Sequence, residues 1–269
     1  MIETKGISGD YSKVVEWYLV EAKQRSADAQ CNLGFMYEVG WGVSMDHIQS
    51  VEWYQKAAEQ GHSQAQCSLG LMYQRGHGVV ESHLRAVELY QKAADKRHAN
   101  AQFNLGTMYN NSHGVIQDYF KAPEWHQKSA AQGYADAQNR LGDIYYYGTC
   151  VAEDYSKAVE WYRKAAEQGH ISAQYKLGEM YYGGYGIAKD KSSLEWYQGA
   201  ANKGHEDAQN SVGNMFYFGD GVDKDYTKVV DWFQKAAHQG YRGAQCKLGD
   251  IYYHGYGVPQ DYCKAMAWY

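Results

Sequence analysis

With 269 residues, 26 Lys and Arg against 31 Asp and Glu and a formal net charge of -5, the chain has no basic stripe for a phosphate backbone, which argues against nucleic acid as a partner. No run of 18 apolar residues is available to span a bilayer, so direct membrane insertion is not expected, and the first ten residues carry no signal-peptide core. The five cysteines, Cys31, Cys67, Cys150, Cys246 and Cys263, include no C-x-x-C and no pairing that recurs along the chain, so a reducing compartment is favoured over a disulfide framework.

Residues 1–9 read as a disordered segment or the remnant of a leader, and an ordered array is expected from Asp10 to Tyr269. The first predicted helix runs from Asp10 to Gln24, with Asp10 as N-cap and Trp17 inside it. That tryptophan recurs with a period near 36 residues, at Trp53, Trp125, Trp161, Trp196, Trp232 and Trp268, with Leu89 in one copy. The N-cap column follows the same step, at Asp46, Ser82, Asp118, Asp154, Asp225 and Asp261. Eight residues past the tryptophan stands a helix-stopping glycine, Gly61, Gly133, Gly169, Gly204 or Gly240, where left-handed backbone is expected. Arg25 and Arg97 break that pattern.

A second predicted helix follows each stop, typified by Ala173-Gln174-Tyr175-Lys176-Leu177-Gly178-Glu179-Met180-Tyr181. Alanine, leucine and tyrosine at spacings of four make one apolar stripe, and the glycine permits close approach of a partner helix. A turn of the form G-x-G-V closes the unit, as at Gly40-Trp41-Gly42-Val43 and Gly255-Tyr256-Gly257-Val258. It recurs in nearly every unit and lacks the phosphate-binding lysine of a P-loop. Two units are irregular. Pro123 predicts a helix that starts late or bends, and the 35 residues from Trp161 to Trp196 reveal a deletion after Asp190. The chain stops inside a predicted helix at Trp268-Tyr269, as a segment of a longer array would.

The order A-x-A-Q-x-x-L-G-x-M-Y-x-x-G-x-G-V followed by D-Y-x-K-A-x-x-W-Y-x-K-A-A-x-Q-G resembles the Sel-1-like repeat family, relatives of the tetratricopeptide repeats, over Asp10 to Tyr269. The resemblance implies an all-α fold: an α–α solenoid, a right-handed superhelix of about seven helix-pair repeats after a leading half repeat. It also implies a non-catalytic adaptor or scaffold that binds a protein or peptide ligand on its concave face. A cysteine-rich branch of the family, with a disulfide in each repeat, is linked to penicillin binding. This chain lacks those cysteines, so β-lactam binding or hydrolysis is the remote alternative.

Comparison of the copies separates constant columns from variable ones. The variable columns of the helix that follows each stop, those of Cys31, Asn32, Phe35, Glu38 and Val39, share one face by their spacings of three and four. Later copies make that face tyrosine-rich. The candidate protein-binding residues are Tyr146, Tyr147, Tyr175, Tyr182, Tyr217, Phe218, Tyr253 and His254, with Arg140 and Lys176 among them. Arg140 and Asp143, Lys176 and Glu179, and Lys247 and Asp250 stand three apart, the spacing of intrahelical ion pairs.

The cysteines of the Cys31 column read as small residues on a helix surface. His62, His98, His170 and His205 share a column beside the stop glycine, too widely separated from copy to copy to hold one metal, and His77 and His113 share a loop column. No G-x-S-x-G or H-E-x-x-H occurs, so no catalytic residue, metal or cofactor is expected. The competing reading is a secreted or envelope-exposed recognition module, with a leader upstream of Met1.

Overall fold

The computed structural model describes residues 11–116, 118, 120–149 and 151–269, so the expected cap at Asp10 lies outside the described residues. Among the described residues there are fifteen α-helices and no strand. They are α1 (Tyr11–Lys23), α2 (Ala27–Val39), α3 (His47–Glu59), α4 (Ser63–Arg75), α5 (His83–Asp95), α6 (Ala99–Asn111), α7 (Lys121–Ala131), α8 (Ala135–Tyr147), α9 (Tyr155–Glu167), α10 (Ile171–Gly183), α11 (Ser192–Asn202), α12 (Glu206–Phe218), α13 (Tyr226–His238), α14 (Arg242–His254) and α15 (Tyr262–Trp268). They fall into two compact units divided between Gln132 and Gly133. In each unit the helices pack chiefly on their neighbours in sequence, the arrangement of an α–α solenoid.

Odd-numbered helices begin as the sequence predicts. The Asp46 carboxylate accepts from the Ile48 and Gln49 N–H groups, and Ser82, Asp154, Asp225 and Asp261 cap α5, α9, α13 and α15 in the same way. The two irregular units differ at this end. Asp118 still accepts from the backbone of Phe120 and Lys121, but α7 starts only at Lys121, because Pro123 donates no N–H to a longer helix. In α11 the deletion replaces the cap by a tight turn in which Ser193 and Leu194 N–H groups bond three residues back, to Asp190 and Lys191.

Each stop position is left-handed: Gly61 has φ 84° and Gly169 φ 85°. Arg25 (φ 68°) and Arg97 (φ 63°) keep the same geometry without glycine, and Ser112 (φ 58°) does so at the closing turn after α6. The glycine of each Leu-Gly pair meets the ring that follows the tryptophan. A Cβ on Gly34 would stand 2.5 Å from Tyr54 Cδ1, and Gly70, Gly178 and Gly213 face Tyr90, Tyr197 and Phe233 likewise. These rings, with Leu33, Leu69, Leu105, Leu177, Met108 and Met180, are the core.

An amide hydrogen bond ties four of the pairs together. Gln60 Nε2 donates to Gln30 Oε1 at 2.7 Å, and Gln132, Gln168 and Gln239 repeat the bond to Gln102, Gln138 and Gln209. Four of the tryptophans carry a lysine three residues on, with the ammonium 3.9 to 4.1 Å from the ring centroid: Lys56 on Trp53, Lys128 on Trp125, Lys164 on Trp161 and Lys235 on Trp232.

One expectation is corrected, and one column gains a role that the sequence did not suggest. Cys31 and Cys67 are buried in the core and not on a helix surface, because their column faces the neighbouring helix pair, and burial pushes both thiols up to about 12. The histidine column forms the N-caps of the even-numbered helices. His170 Nδ1 accepts from the Ala173 N–H at 3.1 Å, and its Nε2 faces Asp136 at 3.2 Å; His62, His98 and His205 cap α4, α6 and α12 as Ser26 caps α2. Tyr134 and Tyr241 occupy the same column without a side-chain cap.

Candidate functional site

The even-numbered helices of the second unit carry the predicted aromatic face. Their penultimate position holds Tyr146, Tyr182, Tyr217 and Tyr253, and their last position holds Tyr147, Gly183, Phe218 and His254. Each ended by a left-handed glycine and packed through its stripe of alanine, leucine or valine and glycine, α8, α10, α12 and α14 hold these rings at fixed positions.

Exposure sorts the candidates. Tyr147 (61%), Phe218 (59%), Tyr253 (47%) and Tyr182 (39%) present ring surface to solvent, as does His254. Tyr146 and Tyr217 are half-buried: they lean on Tyr155 and Tyr226 of the next helix at centroid distances of 5.3 and 5.9 Å, and they prop Tyr147 and Phe218 edge-on. Tyr175 is held inward, stacked on His205 at 4.6 Å with its hydroxyl donating to Glu179 at 3.1 Å.

The charges are tied to this aromatic network. Lys176 pairs with Glu179 at 2.8 Å and lies 5.7 Å from the centroids of both Tyr146 and Tyr175. Arg140 reaches Asp143 at 4.0 Å, and Asp143 also accepts from the Tyr162 hydroxyl at 2.8 Å; burial pushes this carboxyl above the ordinary aspartate range. Lys247 sits over Tyr217 and Phe218, at 5.3 and 5.9 Å, where pairing with Asp250 was expected. Asp250 instead accepts from the Tyr269 hydroxyl. The acidic column therefore serves as an acceptor for tyrosine hydroxyls, buried Tyr162 and exposed Tyr269 among them, and the lysines of the cationic column lie over neighbouring rings.

A pocket of about 240 Å³ opens in the middle of the face, lined by Tyr182, Tyr197, Ser211, Asn214, Met215 and Phe218. Sequence reading missed Ser211 and Asn214, although the signal was present: in the columns of Arg140 and Asp143, α12 alone of these four helices carries an uncharged pair. Shorter neutral side chains leave the space that a lysine and a glutamate fill on α10. Tyr182 also borders an adjoining pocket of about 380 Å³ with Lys189, Asp190 and Asp220. Its hydroxyl donates to Asp220 at 2.5 Å, and Lys189 stands 4.8 Å above its ring. That hydrogen bond holds the Tyr182 phenol above the ordinary tyrosine range.

No cluster of three or more His, Cys, Asp and Glu side chains suited to a metal exists among the described residues, and no described helix is long and apolar enough to cross a membrane. His83 and His113, like His47 and His77, come together as stacked rings at 4.8 and 5.0 Å.

Comparison with known proteins accounts for the architecture. The profile of the Sel1 repeat matches residues 27–62, 63–98, 99–134, 135–170, 171–205, 206–241 and 243–269. A protective antigen of uropathogenic Escherichia coli with an SLR fold is 39% identical, with TM-score 0.89 over 94% of this chain. This chain spans only 55% of that protein's length. A Sel1 repeat protein from Oxalobacter formigenes is 31% identical, with TM-score 0.75 over 84% of this chain and 91% of its own. An immunity protein from Pseudomonas aeruginosa, 24% identical over 79% of this chain and 81% of its own, shares the fold at TM-score 0.51. A comparison with curated proteins finds no match. Seven consecutive repeats, and the close structural agreement over nearly the whole chain, show that this protein belongs to the Sel1 repeat family.

Proposed function

We propose that the chain is a non-catalytic scaffold that captures a protein or peptide segment on the aromatic face of α8, α10, α12 and α14. Sel1 repeat proteins are in general protein-interaction modules, and this chain is built of seven such repeats. The observation that carries the finer reading is the juxtaposition of exposed Tyr182 and Phe218 around a neutral pocket, with Tyr147, Tyr253 and His254 extending the same face and Lys176 and Arg140 at its edge. Rigid aromatic rings give large contact area at low entropic cost, and the pocket accepts one apolar anchor side chain of the bound segment.

The test is capture from a displayed peptide library by the intact chain, followed by affinity measurement on the Y182A/Y217A double variant and on F218A. Each is expected to weaken the selected peptide by about tenfold or more while the helical circular dichroism is unchanged. Unchanged affinity in a folded variant would overturn the reading. The 39% identical antigen motivates a second placement of the same face, as a recognition surface exposed outside the cell. Surface labelling of intact source cells separates this from an internal adaptor.

A further inference from the structure

Two hydrogen-bonding groups that the repeat leaves unused meet in the pocket at the middle of the aromatic face. In four pairs the tyrosine next to the tryptophan column gives its hydroxyl to an acceptor on the even-numbered helix before it. Tyr54 donates to Glu38, Tyr90 to Gln74, Tyr162 to Asp143 and Tyr269 to Asp250, at 2.7 to 2.8 Å. Tyr197 of α11 is the exception: its hydroxyl makes no hydrogen bond among the described residues. Glu179 stands in the column of Asp143 and Asp250, but one of its oxygens accepts from the Tyr175 hydroxyl at 3.1 Å and the other from the Lys176 ammonium at 2.8 Å.

One pair further on the shortage is reversed. Asn214 of α12 stands in the same acceptor column, and the ring packed on α12 is Phe233, which has no hydroxyl to give. Among the described residues the Asn214 carboxamide makes no hydrogen bond, nor does the hydroxyl of Ser211 three residues before it. A donor without an acceptor on α11 and an acceptor without a donor on α12 therefore line one pocket of about 240 Å³, together with Tyr182, Met215 and Phe218. Tyr197 is 4% exposed, and its hydroxyl is not among the polar atoms sealed in the core.

We infer that this pocket takes a tyrosine side chain of the captured segment, whose phenol accepts from the Tyr197 hydroxyl and donates to Asn214 Oδ1. The ring of the occupant packs among Tyr182, Phe218 and Met215. A phenylalanine would fill the same volume and leave donor and acceptor unpaired, and a tryptophan N–H could serve Asn214 and offer nothing to Tyr197. A glutamine carboxamide supplies both groups but leaves the aromatic walls uncovered, and a charged side chain would shed its hydration among neutral partners. The assignment rests on the reading of this face as a capture surface and names its anchor.

The test titrates the full chain with N-acetyl-tyrosinamide and with N-acetyl-phenylalaninamide, followed by amide chemical shifts. Saturable shifts centred on Tyr182, Ser211 and Asn214 are expected, with a Kd of about 0.1–1 mM for the tyrosine amide and about tenfold weaker binding of the phenylalanine amide. Y197F removes only the unused hydroxyl, and fully buried Phe233 shows that the column accepts phenylalanine. It is expected to weaken the tyrosine amide about tenfold and to leave the phenylalanine amide unchanged, a split that a loosened fold would not produce. Equal affinity for the two amides, absence of saturable shifts, or an equal loss of both in Y197F would overturn the assignment. So would tighter binding of the tryptophan amide, the glutamine amide or methyl glucoside. The capture reading is judged separately, by the affinity of library-selected peptides for Y182A/Y217A and F218A: it fails there even if tyrosine is preferred here, and stands there even if tyrosine is not.

Discussion

Arg97 keeps a left-handed backbone that glycine holds in five sibling positions, and the cost of a Cβ there is the reason for a first prediction. R97G should stabilise the protein by about 1 kcal/mol, read as a higher urea midpoint at unchanged slope. Column comparison exposed this position without coordinates, because the helix must stop whether or not its residue suits the stop. The cysteines teach the opposite. Nothing in a column that mixes Cys31, Phe103, Asn139 and Tyr175 tells which copies bury it, since burial depends on what the adjacent helix pair offers. With their thiols desolvated, Cys31 and Cys67 should resist an aqueous thiol reagent until denaturant is added, while exposed Cys246 and Cys263 react in the native protein. Rapid labelling of all four would contradict the burial described.

At the scale of the helix, the histidine caps make stability depend on mild acid. An imidazole that accepts through Nδ1 must be unprotonated there, and burial lowers the pKa of His98 and of His205 below the usual 6.5. The unfolded chain therefore binds protons that the folded one refuses. Their contribution is fully present above pH 6.5 and is lost as pH falls through the lower folded values. The aspartate caps Asp154, Asp225 and Asp261 are held below the usual 3.8 by backbone N–H groups, so theirs is lost in a second, more acidic window. Urea midpoints measured from pH 8 to pH 5 should decline, and the decline should flatten in H98S/H205S. H170A should cost about 1 kcal/mol and H170S much less, because a serine oxygen can accept the same Ala173 N–H. Sequence reading placed the aspartate caps because they precede an obvious helix. It set the histidines aside as metal ligands and gave them no other role, although Ser26 in the same column was the clue.

For the whole molecule, nearest-neighbour packing means that damage should stay local. A methyl on Gly142 would collide with the Tyr162 ring, so G142A should cost about 1–3 kcal/mol. Hydrogen exchange should then quicken in α8, α9 and α10 while α3 and α4 keep their protection; uniform acceleration would mean that the repeats do not behave as separable neighbours. The helix-pair repeat, its aspartate and serine caps before the odd-numbered helices, its stops and its alanine, leucine and tyrosine core columns were legible in the sequence, because a period near 36 residues lets each copy check the others and local backbone physics sets where helices begin and end. So was the aromatic face, as a set of variable positions. Which of those aromatics are presented and which are packed, that Asp143 and Asp250 accept from the hydroxyls of Tyr162 and Tyr269, that Ser211 and Asn214 open a pocket, and that Leu89, Lys92 and Gln66 surround one space were decided only by the tertiary structure. Each depends on side chains from different helices, and a one-dimensional repeat records what every copy must do alone and not what its neighbours leave unfilled.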